Sequence, residues 1–325
     1  MGRRSHSCRR PRVAFMALDS TEVGVIKVDG RPIGPGHPPF VVAECSANHA
    51  GDYLWALELI RAAANAGADA VKFQLYTPDD MAEKDGPPLT SGPWAGRTLY
   101  DLYAEAMTPR DWFPGLFTYA RREGIIPFTS VFNPDDVPFL ESLDCPAYKI
   151  ASAEIGWLDL IRACAATGKP VIISTGMATD VEVRATMPPI LENRVFLHCV
   201  SGYPTPTAQA NLGRMKTLSL LPYREGSESG FAQWNDFAVG ISDHSLGDIV
   251  PIAATALGAC MIEKHLMLPD THPLDEGHSL TPDQFRRMVQ NVRATWAAMQ
   301  KPEGDAEQDS RQFKRRLING RWLRG

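Results

Sequence analysis

The chain has 325 residues, 44% of them hydrophobic and 22% charged, with a formal net charge of -5. These are the proportions of a soluble globular protein, and the acidic balance excludes a general nucleic-acid binder, which carries a basic face, while leaving room for a small anionic substrate held by a few local cations. No apolar run approaches the length of a membrane span.

Residues 1–22 open with positive charge from Met1 to Arg12 but have no apolar stretch behind it. They read as a disordered arm, or as sequence upstream of a start at Met16, and not as a signal peptide. Residues 24–34 hold two short β-rich runs around Asp29-Gly30, a dipeptide suited to a tight hairpin turn. After Pro35, Pro38 and Pro39 an alternation begins of apolar strand runs and helical stretches. The strand candidates are 40–44, 69–74, 125–130, 147–152, 170–175, 195–199, 238–242 and 259–264.

Between the first two, Asp52 can cap a helix whose Leu54, Leu57 and Ile60 recur at helical spacing, with Gly67 ending it. A small-residue helix from about Ile249 to Leu257 joins the last two strands. After the final strand, Thr281-Pro282-Asp283-Gln284 is a capping box, and Phe285, Met288, Val289, Val292 and Trp296 form an apolar stripe read as core.

Eight such units across residues 23–300 fit an α/β protein of the (β/α)8 TIM-barrel type with a short N-terminal β-hairpin. A doubly wound open sheet is the competitor; without a G-x-G-x-x-G after any strand, its dinucleotide-binding version is weakened. Two insertions stand out: 77–110, read as a lid over the site, and 223–237, read as flexible and exposed. Residues 301–325 read as an acidic linker and tail. The six cysteines form no C-x-x-C pair, and most of them fall within or beside apolar runs. They read as buried free thiols in a reducing, cytoplasmic setting.

In a barrel the chemistry gathers where the strands' carboxyl ends meet. The polar residues at those positions are Glu44, Lys72 with Gln74, Ser130, Lys149 with Ser152 and Glu154, Ser174, Ser201 with Tyr203, Ser242 with His244, and His265. Two lysines and several hydroxyls make a phosphate or carboxylate site. His244 and His265 at neighbouring strand ends could ligate a divalent metal; spacing alone leaves that reading and two ordinary strand-end histidines equally open. Glu44 is the best free carboxylate for proton transfer. The competing role for it, acceptor for a neighbouring lysine, ranks lower because its strand is otherwise apolar.

These stretches resemble the sialic acid synthase family, whose members condense phosphoenolpyruvate with an amino-sugar aldehyde to make nine-carbon acids. The resemblance rests on 42–49 (Val-Ala-Glu-Cys-Ser-Ala-Asn-His), 66–74 (Ala-Gly-Ala-Asp-Ala-Val-Lys-Phe-Gln), 148–152 (Tyr-Lys-Ile-Ala-Ser), 173–177 (Ile-Ser-Thr-Gly-Met), 203–206 (Tyr-Pro-Thr-Pro), 242–244 (Ser-Asp-His) and 262–265 (Ile-Glu-Lys-His). Residues 46–49, 96–103 and 145–152 look most like the pseudaminic acid synthase branch.

The resemblance implies that His244 and His265 bind a divalent metal, manganese first, with magnesium or cobalt as alternatives. It implies that Lys72, Ser130, Lys149, Ser152, Ser174 and Ser242 hold phosphoenolpyruvate, that Glu44 transfers protons, and that Gln74, Glu154, Tyr203 and Asp275 line the sugar side. The acceptor would be of the 2,4-diacetamido-trideoxyhexose or N-acetylmannosamine type. The chain departs from the family at Val131, where proline is usual, at Ser201, where the sialic acid branch has asparagine, and in the loop 273–280, whose His278 reads as a substrate contact or as plain loop.

Family members generally add a small antifreeze-like domain that supplies a sugar-contacting arginine to the partner of a homodimer. The tail to Gly325 resembles the lead-in to such a domain without length for it. The alternatives are a related metal-dependent ulosonic-acid synthase or aldolase with another acceptor, or a barrel that binds ligand without turnover.

Overall fold

Asp29 and Gly30 have φ of 48° and 77°, the paired left-handed conformation of a two-residue hairpin turn. They join β1 (Ile26–Val28) to β2 (Arg31–Ile33), which pair antiparallel as the sequence predicts. The computed structural model describes residues 24–300 apart from Pro93, 188–192, 222–236, Asp270 and His272, together with two short strands in the tail. The arm 1–22 and most of the insertion 223–237 lie outside the described residues.

Eight strands follow: β3 (Phe40–Glu44), β4 (Ala70–Leu75), β5 (Ile126–Val131), β6 (Tyr148–Ile150), β7 (Val171–Ser174), β8 (Arg194–Cys199), β9 (Ala238–Asp243) and β10 (Met261–His265). All pair parallel with their sequence neighbours, and β10 pairs with β3 through Met261↔Phe40 to His265↔Glu44, so the sheet closes. Closure decides against the open doubly wound sheet. The strands are near-continuous apolar runs because both faces are covered, one by barrel interior and one by helices.

The sequence boundaries are close, furthest off at 259–264, where the strand runs Met261–His265, and equally at 147–152. There only Tyr148–Ile150 form the strand, because the turn Ser152–Glu154 already begins after Ala151.

The helix Tyr53–Ala66 starts as expected. Asp52 accepts hydrogen bonds from the amides of Leu54 at 2.7 Å and Trp55 at 3.1 Å, and Gly67 ends it at φ 85°. Its inward stripe differs from the predicted one, since Leu54 is 66% exposed and the buried residues are Ala56, Leu59, Ile60, Ala63 and Ala66. The small alanines let it lie close between the helices Phe113–Arg122 and Pro282–Met299. In the latter, Thr281 N donates to Gln284 Oε1 at 2.9 Å, and Phe285, Met288, Val289 and Val292 are buried with Trp296 half-buried.

In the tail, β11 (Arg315–Ile318) pairs antiparallel with β12 (Arg321–Arg324), two strands that the linker reading does not anticipate. No helix among the described residues is long and apolar enough to cross a membrane. The five described cysteines are free and buried.

The hairpin is fastened at the amino-terminal end of the barrel. Arg31 reaches Asp69 at 2.7 Å, and Asp69 also accepts the Val41 amide at 2.8 Å and pairs with Arg293 of the last helix. The opposite end is left to the loops. There Asn48 donates to Leu266 O at 2.8 Å and to Ser279 Oγ at 2.9 Å, while His49 Nε2 meets Thr108 Oγ1 at 3.1 Å.

Between β9 and β10, Lys264 donates to Asp243 Oδ2 at 2.7 Å, with side chains 0% and 3% exposed, and also to Ser245 O. Asp243 in turn accepts the Ser245 amide at 2.9 Å and its hydroxyl at 3.0 Å.

Lys264→Met leaves Asp243 buried without its cation, which should cost about 3–5 kcal/mol in urea unfolding; a loss under about 1 kcal/mol contradicts this role. His49 gives a pH prediction. Burial pushes its pKa down from 6.5 to about 4, opposed by the Asp275 charge. Between pH 6.5 and about 4 the unfolded chain takes a proton that the folded chain refuses. Stability therefore falls as pH drops through that window, by up to about 3 kcal/mol from this residue. His49→Gln should flatten the dependence of the urea midpoint on pH; an unchanged slope contradicts the assignment.

Candidate active site at the carboxyl end of the barrel

A cavity of about 300 Å³ opens at the carboxyl ends of the strands, an ordinary size for a small-molecule site. Side chains alternate along a strand. On β9 and its exit, Ser242 and His244 line the cavity; on β10, Glu263 and His265 do, while Asp243 and Lys264 between them do not. Of the strand-end and site residues expected from the sequence, all line this space except Glu154 and Ser201. Trp94, Leu99, Leu102 and Tyr103 of the insertion 77–110 form part of its wall, as a lid would.

One side is cationic. Lys72 donates to Ser130 Oγ at 2.7 Å, and Lys149 Nζ is held by Ile150 O at 3.0 Å. Burial lowers the Lys149 pKa, partly offset by the charge of Glu263. Ser174 Oγ and Ser201 Oγ have no hydrogen-bond partner among the described residues, and Ser152 Oγ accepts the Gly176 amide at 3.1 Å. A side chain at Gly176 would run into the Ser152 and Ser201 hydroxyls. Two ammonium groups and the open hydroxyl of Ser174 facing one cavity are what an oxyanion needs.

Glu44 is not the free carboxylate expected. Register places it opposite Lys72, and the two form a buried ion pair. Its Oε1 also accepts Gln74 Nε2 at 2.9 Å and the amide of Ser46 at 3.1 Å, which turns back through φ 39°. Acceptor for a lysine, the reading ranked lower, is the observed contact. Its Oε2 has no partner beyond that lysine.

Glu263 is a cavity carboxylate that the sequence reading passed over. It lies 3.8 Å from Lys72 Nζ and accepts Ser242 Oγ at 3.0 Å. Burial would raise its pKa, but the ammonium groups of Lys72 and Lys149 and the Ser242 bond hold it below the usual carboxylate value. Parity reveals it: two residues before His265 on a strand lies the same face.

The other side is made of imidazoles. His244 and His265, brought together as expected, have ring centroids 5.4 Å apart. His244 Nδ1 is 3.0 Å from Val200 O; a carbonyl only accepts, so that nitrogen carries the hydrogen and Nε2 keeps its lone pair. Tyr203 lies over His244 at 4.2 Å. His278 joins them, its ring 4.5 Å from His265. Burial first, and then the neighbouring His265, press the His244 and His278 pKa values down to about 3, so both are neutral near pH 7. Burial would raise Asp275, but His265 beside it holds it well below the usual range, as a carboxylate.

Glu154 stands apart from the cavity lining, half-buried in the turn Ser152–Glu154, its pKa raised by burial against the opposing charge of Lys149. Phe237, the one described residue of the insertion 223–237, is partly buried against Phe196 at 5.3 Å instead of exposed.

The chain matches the NeuB family over residues 59–304. It is 39% identical over 287 residues to a pseudaminic acid synthase of Campylobacter jejuni subsp. jejuni, an alignment covering 86% of this chain and 79% of that one. To the pseudaminic acid synthase of Helicobacter pylori it is 40% identical over 276 residues, covering 82% and 77%. Among solved structures, N-acetylneuraminic acid (sialic acid) synthetase of Leptospira borgpetersenii, in complex with citrate, superposes with a TM-score of 0.76 at 28% identity, covering 89% of this chain and 95% of that one. With its closed barrel and a family match across most of its length, the chain belongs to the NeuB family.

Proposed function

We propose that the protein condenses phosphoenolpyruvate with an amino-sugar aldehyde and water, giving a nine-carbon acid of the sialic type and inorganic phosphate. The observation that carries this is one cavity holding two buried lysines and strand-end hydroxyls on one side and the imidazoles of His244 and His265 on the other. Kinship with pseudaminic acid synthases favours a 2,4-diacetamido-trideoxyhexose over N-acetylmannosamine as acceptor. The free buried thiols support a cytoplasmic setting, and a homodimer belongs to the same proposal.

Lys72 and Lys149, with Ser130, Ser152, Ser174 and Ser242, would hold the phosphate and carboxylate. Incoming anionic oxygens would take over the pairing that Glu44 gives Lys72 and set that carboxylate free to carry a proton. Carbon 3 of the enol then attacks the aldehyde carbon, whose oxygen takes up a proton. Water adds at carbon 2, losing a proton, and phosphate departs with the carbon–oxygen bond broken. Gln74, Tyr203 and Asp275 would face the sugar, with Glu154 outside the immediate wall.

The donors fit a divalent cation, since burial keeps His244 neutral and His265 Nδ1 is buried without a hydrogen-bond partner among the described residues. His244 and His265 would hold it, manganese first; when bound, it would polarise the aldehyde.

The test is purified protein with manganese, phosphoenolpyruvate carrying heavy oxygen at the bridging position, and a panel of six-carbon acetamido aldoses. Phosphate should be released with the label in it, and His265→Ala should abolish release. Glu44→Gln should lower kcat by roughly 10²–10⁴-fold while retaining phosphoenolpyruvate binding. No release with any such sugar, or label left in the organic product, overturns the reading.

A further inference from the structure

Three buried atoms point at one spot with nothing to bond. His265 Nδ1, Asp275 Oδ2 and His278 Nε2 have no hydrogen-bond partner among the described residues. His265 Nδ1 lies 3.5 Å from Asp275 Oδ2, and His278 Nε2 lies 3.8 Å from Asp275 Oδ1. The candidate ligand atoms of the three residues all fall within 4.8 Å of one another. Atoms that bind one ion at about 2.1 Å sit about 3–4 Å apart, and the 3.5 and 3.8 Å gaps between Asp275 and the two rings fall in that range while being long for hydrogen bonds. Leaving buried polar atoms orphaned is costly, and a ligand bonded to all three would offset that cost.

The segment carrying Asp275 and His278 is held firmly. Ser279 Oγ donates to Asp275 O at 2.7 Å and accepts from Asn48 at 2.9 Å, and the Leu280 amide bonds His265 O at 2.9 Å. Backbone anchors of this kind aim ligands before a metal arrives. His244 lies beside this cluster, its ring centroid 5.4 Å from that of His265 and 5.9 Å from that of His278.

We propose that the metal centre of this chain has four protein donors, with His278 as a third imidazole and Asp275 as a carboxylate ligand added to His244 and His265. Asp275 is then chiefly a metal ligand, with any sugar contact secondary, and the cation is held more tightly than two histidines would hold it. The inference rests on the proposed metal dependence and extends it to residues of an atypical loop.

Manganese binding to the full chain is followed by electron paramagnetic resonance without sugar, and coordinated imidazoles are counted by spin-echo modulation on protein carrying isotope-labelled histidine. The wild type should show three imidazoles. His278→Ala and His278→Gln should weaken binding tenfold or more and leave two, with circular dichroism and metal-free phosphoenolpyruvate binding unchanged. Two imidazoles in the wild type, or His278 variants that bind manganese as the wild type does while His265→Ala does not, overturn this proposal and leave the two-histidine site standing. A wild type that binds no manganese overturns the metal dependence itself, and this inference with it.

Discussion

Lys264 and Asp243 face one another across the last two barrel strands with both side chains almost sealed from water. Charges so buried are tolerable only as a pair, so the contact fixes which residues of β9 and β10 stand opposite each other. Alternation does the rest: with 243 and 264 turned to each other, Ser242, His244, Glu263 and His265 enter the cavity. A slip of one residue would send the histidines out and a lysine in. The Ser245 backbone and hydroxyl, gathered by the same aspartate, then shape the exit of β9 just beyond His244.

The cavity has a second balance of charge. Lys72 and Lys149 are both buried, and without counter-charges neither would stay protonated. Glu44 and Glu263 supply them from the two strands that close the barrel, β3 and β10, with the first paired directly to Lys72. The same arrangement stores cations for an anionic substrate and keeps a carboxylate within reach of it. On the imidazole side, burial keeps His244 and His278 neutral, the protonation state in which they can ligate.

Much of this was legible in the residues. Strands buried on both faces announce themselves as apolar runs, and the polar residue that ends each run marks the catalytic edge, which is how Glu44, Lys72, Ser130, Lys149, Ser174 and Ser242 could be named. What escaped depended on pairing. Glu44 looked free because its partner comes from the neighbouring strand, and only the register Glu44↔Lys72 joins them. Glu263 was hidden inside a motif whose ends drew attention, although its parity with His265 was there to read. His278 lies in a loop with no periodicity, and only the folded chain brings it to His265. Leu54 misled because a short apolar repeat does not say which arc of a helix faces inward when alanines allow the closest packing.

The most direct test of the account is a crystal structure with manganese and phosphoenolpyruvate bound, the metal located by its anomalous signal. The phosphate and carboxylate should lie among Lys72, Lys149 and the strand-end serines, with Glu44 parted from Lys72 and the anomalous peak within ligand distance of His265. Phosphoenolpyruvate bound away from both lysines, or a peak away from His265, would contradict it.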